Sequence, residues 1–414
     1  MPAPAPAHWS SRVASALAHR NFRIVWLAAL GSTIGTWMQK YAQSWLVWDL
    51  TKSNTYLGID EFLSQLPILL LSLIGGVIAD RHDRRRLLTG SQYVQALSAF
   101  SLAALVFTGS IRVEYIFALS FVAGCGQAFG GPAYQSLIPS LVPRQDLPNA
   151  LALNSTQFNL SRVLGPVAGG SVLVAIGAAW CFTFNGFSFF LVVVALASLH
   201  LPAHVPNPKP IALAQELKSG LRYVRETRLV LVLTLLVFVT TFLASPVSTL
   251  LPAFATTRLE GLGSPQTRLW MLMASQGLGA IVGALIVGAR GRVPHMGRAI
   301  LIGLMLLAVF VAAFSASRSL PLSLVLIFVA GLCSLATFSM SLSLVQLTIP
   351  DELRGRVVSI YMVALRSGLP IGALVAGLLA DAFSPTTVMV ANSAVLCMVA
   401  GMLLARKNGT LQNV

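Results

Sequence analysis

Apolar runs long enough to cross a bilayer recur along this chain from end to end, and this limits its folds more than any other feature. Residues 229–254 and 320–347 contain no Asp, Glu, Lys or Arg at all. About 20 apolar residues suffice for one transmembrane helix. In hydrocarbon every backbone N–H and C=O needs a partner within the protein, which a helix of that length supplies by itself. Composition agrees: 56% of the 414 residues are hydrophobic and 10% are charged, against about 25% charged in a soluble domain. The mean hydropathy is +0.78. The chain reads as an all-α membrane protein that crosses the bilayer many times.

Twelve spans are expected, approximately 22–49, 55–80, 86–109, 113–140, 147–175, 178–200, 229–254, 267–289, 297–317, 320–347, 354–381 and 385–405. Several exceed the minimum length, so tilt is expected. The one long loop divides the chain into 1–200, a linker 201–228 and 229–414. Within the linker, Leu213, Ala214, Leu217, Leu221 and Val224 recur at three- and four-residue spacing. This predicts an amphipathic helix, lying on the membrane surface or packed on the protein.

The net charge of +15 raises the question of nucleic acid, and the distribution answers it. With the N-terminus cytoplasmic, twenty of the twenty-eight Lys and Arg fall on the cytoplasmic side and five in outer loops. That bias places both termini inside and explains the basic charge without a nucleic-acid partner. The first twenty residues lack an apolar h-region and read as a cytoplasmic tail, not a cleavable signal peptide. Cys125, Cys181, Cys333 and Cys397 lie singly in apolar segments and read as packing residues. The six histidines lie in tails, loops or helix ends, with no metal-ligand spacing. No nucleotide-binding G-x-x-x-x-G-K-[ST] is present, and neither a cofactor nor enzymatic activity is expected.

The two parts resemble each other. "SLIPSLVPRQDL" (136–147) recurs loosely as "SLVQLTIPDEL" (343–353), and Arg162 and Arg366 each stand four residues before a proline, Pro166 and Pro370. Two repeats related by an axis along the membrane normal are a transporter architecture.

The densest charge lies in "GGVIADRHDRRRLL", residues 75–88, between spans two and three. The arginines are explained as cytoplasmic anchors. Asp80 is not, because a carboxylate at the lipid boundary is costly unless it is paired. It needs a neighbouring arginine or the positive end of another helix. Gly76, Asp80, Arg81, Arg84 and Arg85 form G-x-x-x-D-R-x-x-R-R, which resembles the signature of the major facilitator superfamily at the same loop. The variant "DRxDRRRLL" is similar to the branch holding bacterial siderophore and drug exporters. The resemblance implies twelve helices in two pseudo-symmetric six-helix halves. It also implies a latch from Asp80 to the start of span eleven, near Asp351 to Arg356, made only while the cytoplasmic side is closed. The matching loop of the second half, "GALIVGARGRVPHMGR", keeps arginines but no aspartate.

On span five, "RVLGPVAGG" holds Gly165, Pro166, Gly169 and Gly170, resembling the GPxxGG element of exporters in this superfamily. Proline permits a kink and glycines allow close helix approach, so the element is expected to be a hinge or a packing seam. Lys40, Arg162 and Arg366 are basic residues inside spans one, five and eleven, and Asp60 and Glu61 are acidic residues inside span two. Ionisable residues in a membrane face a cavity or a partner. Spans one and two form a hairpin, so Lys40 is expected to pair with Asp60 or Glu61, and Asp60, Glu61 and Lys40 are the proton-coupling candidates. The arginine often found in span four of proton-coupled relatives is missing from "FALSFVAGCGQAFGGP".

Candidates to line a central cavity are Trp37, Gln65, Gln127, Asn154, Gln157 and Arg162 in the first half. In the second half they are Phe238, Gln276, Tyr361 and Arg366. The expected function is a secondary transporter of the bacterial inner membrane. It exports a small amphipathic molecule, a siderophore or a drug, by alternating access with proton antiport. Protons, the substrate and the bilayer are its expected partners, and the expected state is monomeric. A lipid flippase on the same fold and a non-transporting sensor or scaffold are the alternatives.

Overall fold

A computed structural model of the chain describes residues 15–199, 213–259, 263–290, 295–406 and 411; within the helices, the side chains of residues 73, 77, 79–81 and 213–217 lie outside the described set. The first six long helices are α1 (Arg20–Thr51), α2 (Asn54–Arg81), α3 (Arg84–Phe107), α4 (Val113–Leu137), α5 (Leu147–Ile176) and α6 (Ala178–Ala197). A linker helix, Leu213–Glu226, precedes α7 (Arg228–Ala244), α8 (Pro265–Arg290), α9 (Met296–Ala316), α10 (Leu320–Thr348), α11 (Asp351–Ala382) and α12 (Pro385–Ala405). Among the described residues nine helices, α4 to α12, are long and apolar enough to cross a membrane.

Turns are tight. Gly177 alone separates α5 from α6, and its φ of +95° lies in the left-handed region that glycine adopts without strain. Asp83 ends the α2–α3 turn as the N-cap of α3, its carboxylate accepting from the backbone N–H groups of Arg85 and Arg86. Span seven departs from the expected single helix over 229–254. It breaks after Ala244 and resumes as short helices Pro246–Thr249 and Leu251–Thr257. Pro246 and Pro252 cause this, since each lacks the N–H an uninterrupted helix would use.

Within the first half the main contacts are α1 with α5 and α6, α3 with α4 and α6, and α2 with α4. Adding six to every number gives the main contacts of the second half: α7 with α11 and α12, α9 with α10 and α12, and α8 with α10. The halves meet along two seams, α2 with α11 and α5 with α8, which the same shift interchanges. The fold is therefore pseudo-symmetric at the level of packing, as the loose repeats led one to expect.

The linker helix packs on the protein. Val224 is buried, Ser219 accepts a hydrogen bond from Arg356 of α11 at 3.2 Å, and the Tyr223 hydroxyl reaches the Thr348 carbonyl of α10 at 3.4 Å. Lys218, Arg222, Arg225 and Glu226 occupy its exposed face.

Candidate transport site

The bundle has a terminal end, from which α1 starts and to which α12 returns, and a far end, which carries the α1–α2 and α11–α12 turns. The halves touch at the far end. The Tyr41 hydroxyl of α1 donates to the Gln266 carbonyl at the start of α8, 2.8 Å away. A Cβ added to Gly170 of α5 would lie 2.4 Å from the Trp270 ring of α8, and one added to Gly58 of α2 would lie 2.6 Å from the Ala373 carbonyl oxygen of α11. Toward the terminal end, a Cβ on Gly76 of α2, Gly288 of α8 or Gly355 of α11 would meet nothing within 4 Å. The seams close at one end and part at the other.

Trp37 of α1 is the centre of the arrangement in the first half. Its ring has the Lys40 ammonium 5.6 Å from its centroid and the Arg162 guanidinium 5.5 Å away. Phe158 of α5 meets it edge-on at 6.2 Å. The aromatic face attracts both cations. α5 comes this close because Gly165 sits against the Trp37 Cβ.

Beside this shelf stand the two adjacent carboxylates of α2. Glu61 takes the Lys40 ammonium at 3.0 Å and the Gln65 amide at 3.2 Å. Of the two partners open to Lys40, the structure selects Glu61. Asp60 points into the first half instead. Gln43 of α1 donates to its two oxygens at 2.9 and 2.8 Å, and Ser120 of α4 donates at 2.7 Å. Among the described residues Asp60 makes no ion pair. A buried ion pair is neutral overall, whereas Asp60 is held by uncharged donors alone.

The two arginines differ in setting. Arg162 has the Trp37 face, and Arg366 of α11 is exposed. Among the described residues neither forms an ion pair. Arg366 lies seven residues before Ala373 and eleven before Gly377, so it shares their helix face. Ala373 and Gly377 both touch α2. Arg366 therefore looks toward the first half from about 10 Å nearer the terminal end than Ala373, on the seam that closes at the far end.

Other candidates fall into two groups. Gln127 is exposed and Asn154 half-buried on the first half. Phe238 stacks on Phe242 at 6.0 Å, and Gln276 of α8 bonds Ser248 at 3.0 Å. Gln157 and Tyr361 are buried between helices. Gln157 is 3% exposed and donates to Thr33 at 2.7 Å. Tyr361 is fully buried and donates to Ser341 of α10 at 2.9 Å. In this conformation each bonds a neighbouring helix. The glycines of the GPxxGG element sit where α5 crosses its neighbours: Gly165 and Gly169 against α1, Gly170 against α8. Pro166 lies inside a continuous α5.

At the α2–α3 turn, Arg84 donates to the Ser136 carbonyl at the end of α4 at 2.9 Å. Arg85 donates to the Ala197 and Leu199 carbonyls at the end of α6 at 3.0 and 3.4 Å. These arginines hold helix C-termini, where a positive charge is favoured. The side chains of Asp80 and Arg81 lie outside the described residues.

Two participants were not among the sequence candidates: Gln43 and Ser120. Gln39, Lys40 and Gln43 form a polar face on α1, which was the available signal for Gln43.

The chain matches the family described as transmembrane secretion effector, of the major facilitator superfamily, over residues 11–411. It is 28% identical to the multidrug efflux pump Tap of Mycolicibacterium fortuitum over 368 residues, 87% of this chain and 89% of that protein. It is 24% identical to the enterobactin exporter EntS of Escherichia coli O1:K1 / APEC over 397 residues, 96% of this chain and 94% of that one. Among solved structures, a peptide transporter POT in complex with alafosfalin superposes with a TM-score of 0.76 at 14% identity, covering 99% of this chain and 100% of that one. A bacterial homologue of the lysosomal transporter Spinster, inward-facing and unoccupied, gives 0.70 at 14% identity, covering 92% and 95%. These structural likenesses concern the fold.

Proposed function

The chain belongs to the transmembrane secretion effector family of the major facilitator superfamily, and from that premise we propose that it is a secondary active exporter of small amphipathic anions or zwitterions. All twelve long helices span the inner membrane of a bacterium, with residues 1–200 and 229–414 as the moving halves and both termini cytoplasmic. The positive-inside bias supports that orientation. The terminal end is then the cytoplasmic end, and the structure described is open toward the cytoplasm.

The observation that carries the substrate class is a pair of arginines without acidic partners among the described residues, Arg162 and Arg366, one from each half. A guanidinium is effectively always charged. Within a membrane it needs water, a carbonyl or an anion. A carboxylate or phenolate of the substrate would meet Arg366 at the parted seam. The Trp37 shelf would take an aromatic or apolar body. The names of the relatives, an enterobactin exporter and a multidrug pump, are compatible with such a pocket.

Proton antiport runs through α2. Asp60 is the better carrier, since protonating it breaks no ion pair, whereas protonating Glu61 leaves Lys40 unpaired. Gly165, Pro166, Gly169 and Gly170 let α5 rock against α1 and α8. Gly76, Asp80 and Arg81 are the residues that would meet α11 when the cytoplasmic side closes, while Arg84 and Arg85 brace the end of the first half.

Purified protein in proteoliposomes, given an imposed pH gradient and a panel of amphipathic anions, zwitterions and cations, tests the reading. Uptake of the anions and zwitterions driven by the gradient is expected. Movement of labelled lysophospholipid in place of every soluble compound would make the chain a flippase, and no movement of any kind would refute transport.

A further inference from the structure

The far-end seam between α2 and α11 contains a contact that the exporter reading does not use. Asp381, in the last turn of α11, lies against the N-terminus of α2. Its carboxylate accepts from the backbone N–H of Asn54 at 2.8 Å, the backbone N–H of Thr55 at 2.9 Å and the Asn54 amide at 2.9 Å. The Ser53 hydroxyl also donates to it. The first N–H groups of a helix have no partner within it and are ordinarily capped by the preceding side chain. Ser53 occupies that position in α2 yet makes no capping bond. A carboxylate from the other half of the molecule takes its place, at the positive end of the helix dipole.

The backbone is shaped for this. Gly58 packs on the Ala373 carbonyl, and Gly377, one turn before Asp381, packs on the Asn54 carbonyl, where an added Cβ would lie 2.5 Å away. The sequence carries a matching pattern. Gly377-Leu-Leu-Ala-Asp381 ends α11 as Gly76-Val-Ile-Ala-Asp80 ends α2. The two helices run antiparallel, so the C-terminal turn of α11 meets the N-terminal turn of α2 at the closed far end, while the C-terminal turn of α2 lies at the parted terminal end. One G-x-x-A-D lies at each end of the same seam.

We propose that Asp381 is a detachable cap that holds the outer end of the transporter shut, made in the cytoplasm-open state and broken when the outer side opens. The word "outer" rests on the orientation given under the proposed function; the latch itself does not. A contact present in one of two states biases the equilibrium toward that state by its differential free energy. On opening, water replaces the carboxylate at Asn54 and Thr55. Release of Asp381 is thus a cost of every passage to the outward-open form, and the outer seam is latched by a residue of the second half.

Spin labels at Ser110→Cys and Arg318→Cys, exposed far-end loop positions on opposite halves, report the opening by electron–electron double resonance in lipid nanodiscs. Cys125, Cys181, Cys333 and Cys397 are first replaced by alanine. Asp381→Ala is expected to raise the ratio of far-end-open to far-end-closed molecules at least tenfold. Asp381→Asn, which keeps one acceptor oxygen and loses the charge, should raise it less. If the alanine variant does not insert, Asp381→Asn and the partner-side Ser53→Ala carry the test. Distance distributions unchanged in these variants would overturn the latch, even where transport is normal. A protein that moves no substrate, yet opens on Asp381→Ala, would refute the exporter and leave the latch standing.

Discussion

Gly58→Ala tests whether the far-end seam is a moving joint. The added methyl would lie 2.6 Å from the Ala373 carbonyl oxygen and 3.1 Å from the Leu374 Cα, where ordinary contact begins at 3.4 Å. Both obstacles are backbone, so no side chain can swing aside. α2 and α11 must separate by about 0.8 Å, and overpacking of this kind costs about 1–3 kcal/mol. The gain in helix propensity from glycine to alanine applies in both states and cancels. The cost falls only on the state in which the helices touch, so the far-end-open population should rise roughly five- to 150-fold relative to the closed one. The same pair of spin labels measures it. Gly90→Ala on α3, where an added Cβ meets nothing within 4 Å, is the control and should leave the distances alone. An equal effect from both variants, or none from Gly58→Ala, would mean that the seam does not open there.

Arg366→Gln should raise the apparent KM for an anionic substrate by roughly 10- to 150-fold, the worth of a charge-assisted hydrogen bond of about 1.5–3 kcal/mol, and leave a neutral substrate nearly unchanged. Equal loss for both, with reduced protein yield, would make the arginine structural. Asp80→Asn should loosen closure of the cytoplasmic end, so that thiols placed there react faster with a membrane-impermeant reagent and flux falls. Unchanged reactivity and flux would leave Asp80 as a topological anchor.

The spans were legible because lipid imposes a simple requirement, and long uncharged runs such as 320–347 admit no other reading. The Lys40–Glu61 pair was half legible. A hairpin brings α1 and α2 together, but which of two neighbouring carboxylates faces Lys40 depends on the helix rotation set by packing on α4. Gln43 and Ser120 reach Asp60 from two other helices, and no local pattern announces such a meeting. Gln157 and Tyr361 show the opposite difficulty. A polar residue in an apolar span looks the same whether it lines a cavity or bonds a neighbouring helix, and here both bond neighbours. The break of span seven after α7 could be read from Pro246 and Pro252, but the hydrophobic run around them masked it. Asp381 was hidden by its position, since acids at helix ends are usually solvated. Only the contact between halves distinguishes this one.

In the proposed mechanism a proton carried by Asp60 of α2 drives export. Asp60→Asn protein in proteoliposomes, measured side by side for pH-driven accumulation and for exchange of the same anionic substrate across the membrane without a gradient, tests it most directly. Wild-type protein is expected to do both, whereas Asp60→Asn is expected to exchange substrate but no longer concentrate it. Accumulation by Asp60→Asn at the wild-type level would refute Asp60 as the carrier, and if the Asp60→Asn, Glu61→Gln double variant accumulates as well, proton coupling does not pass through α2.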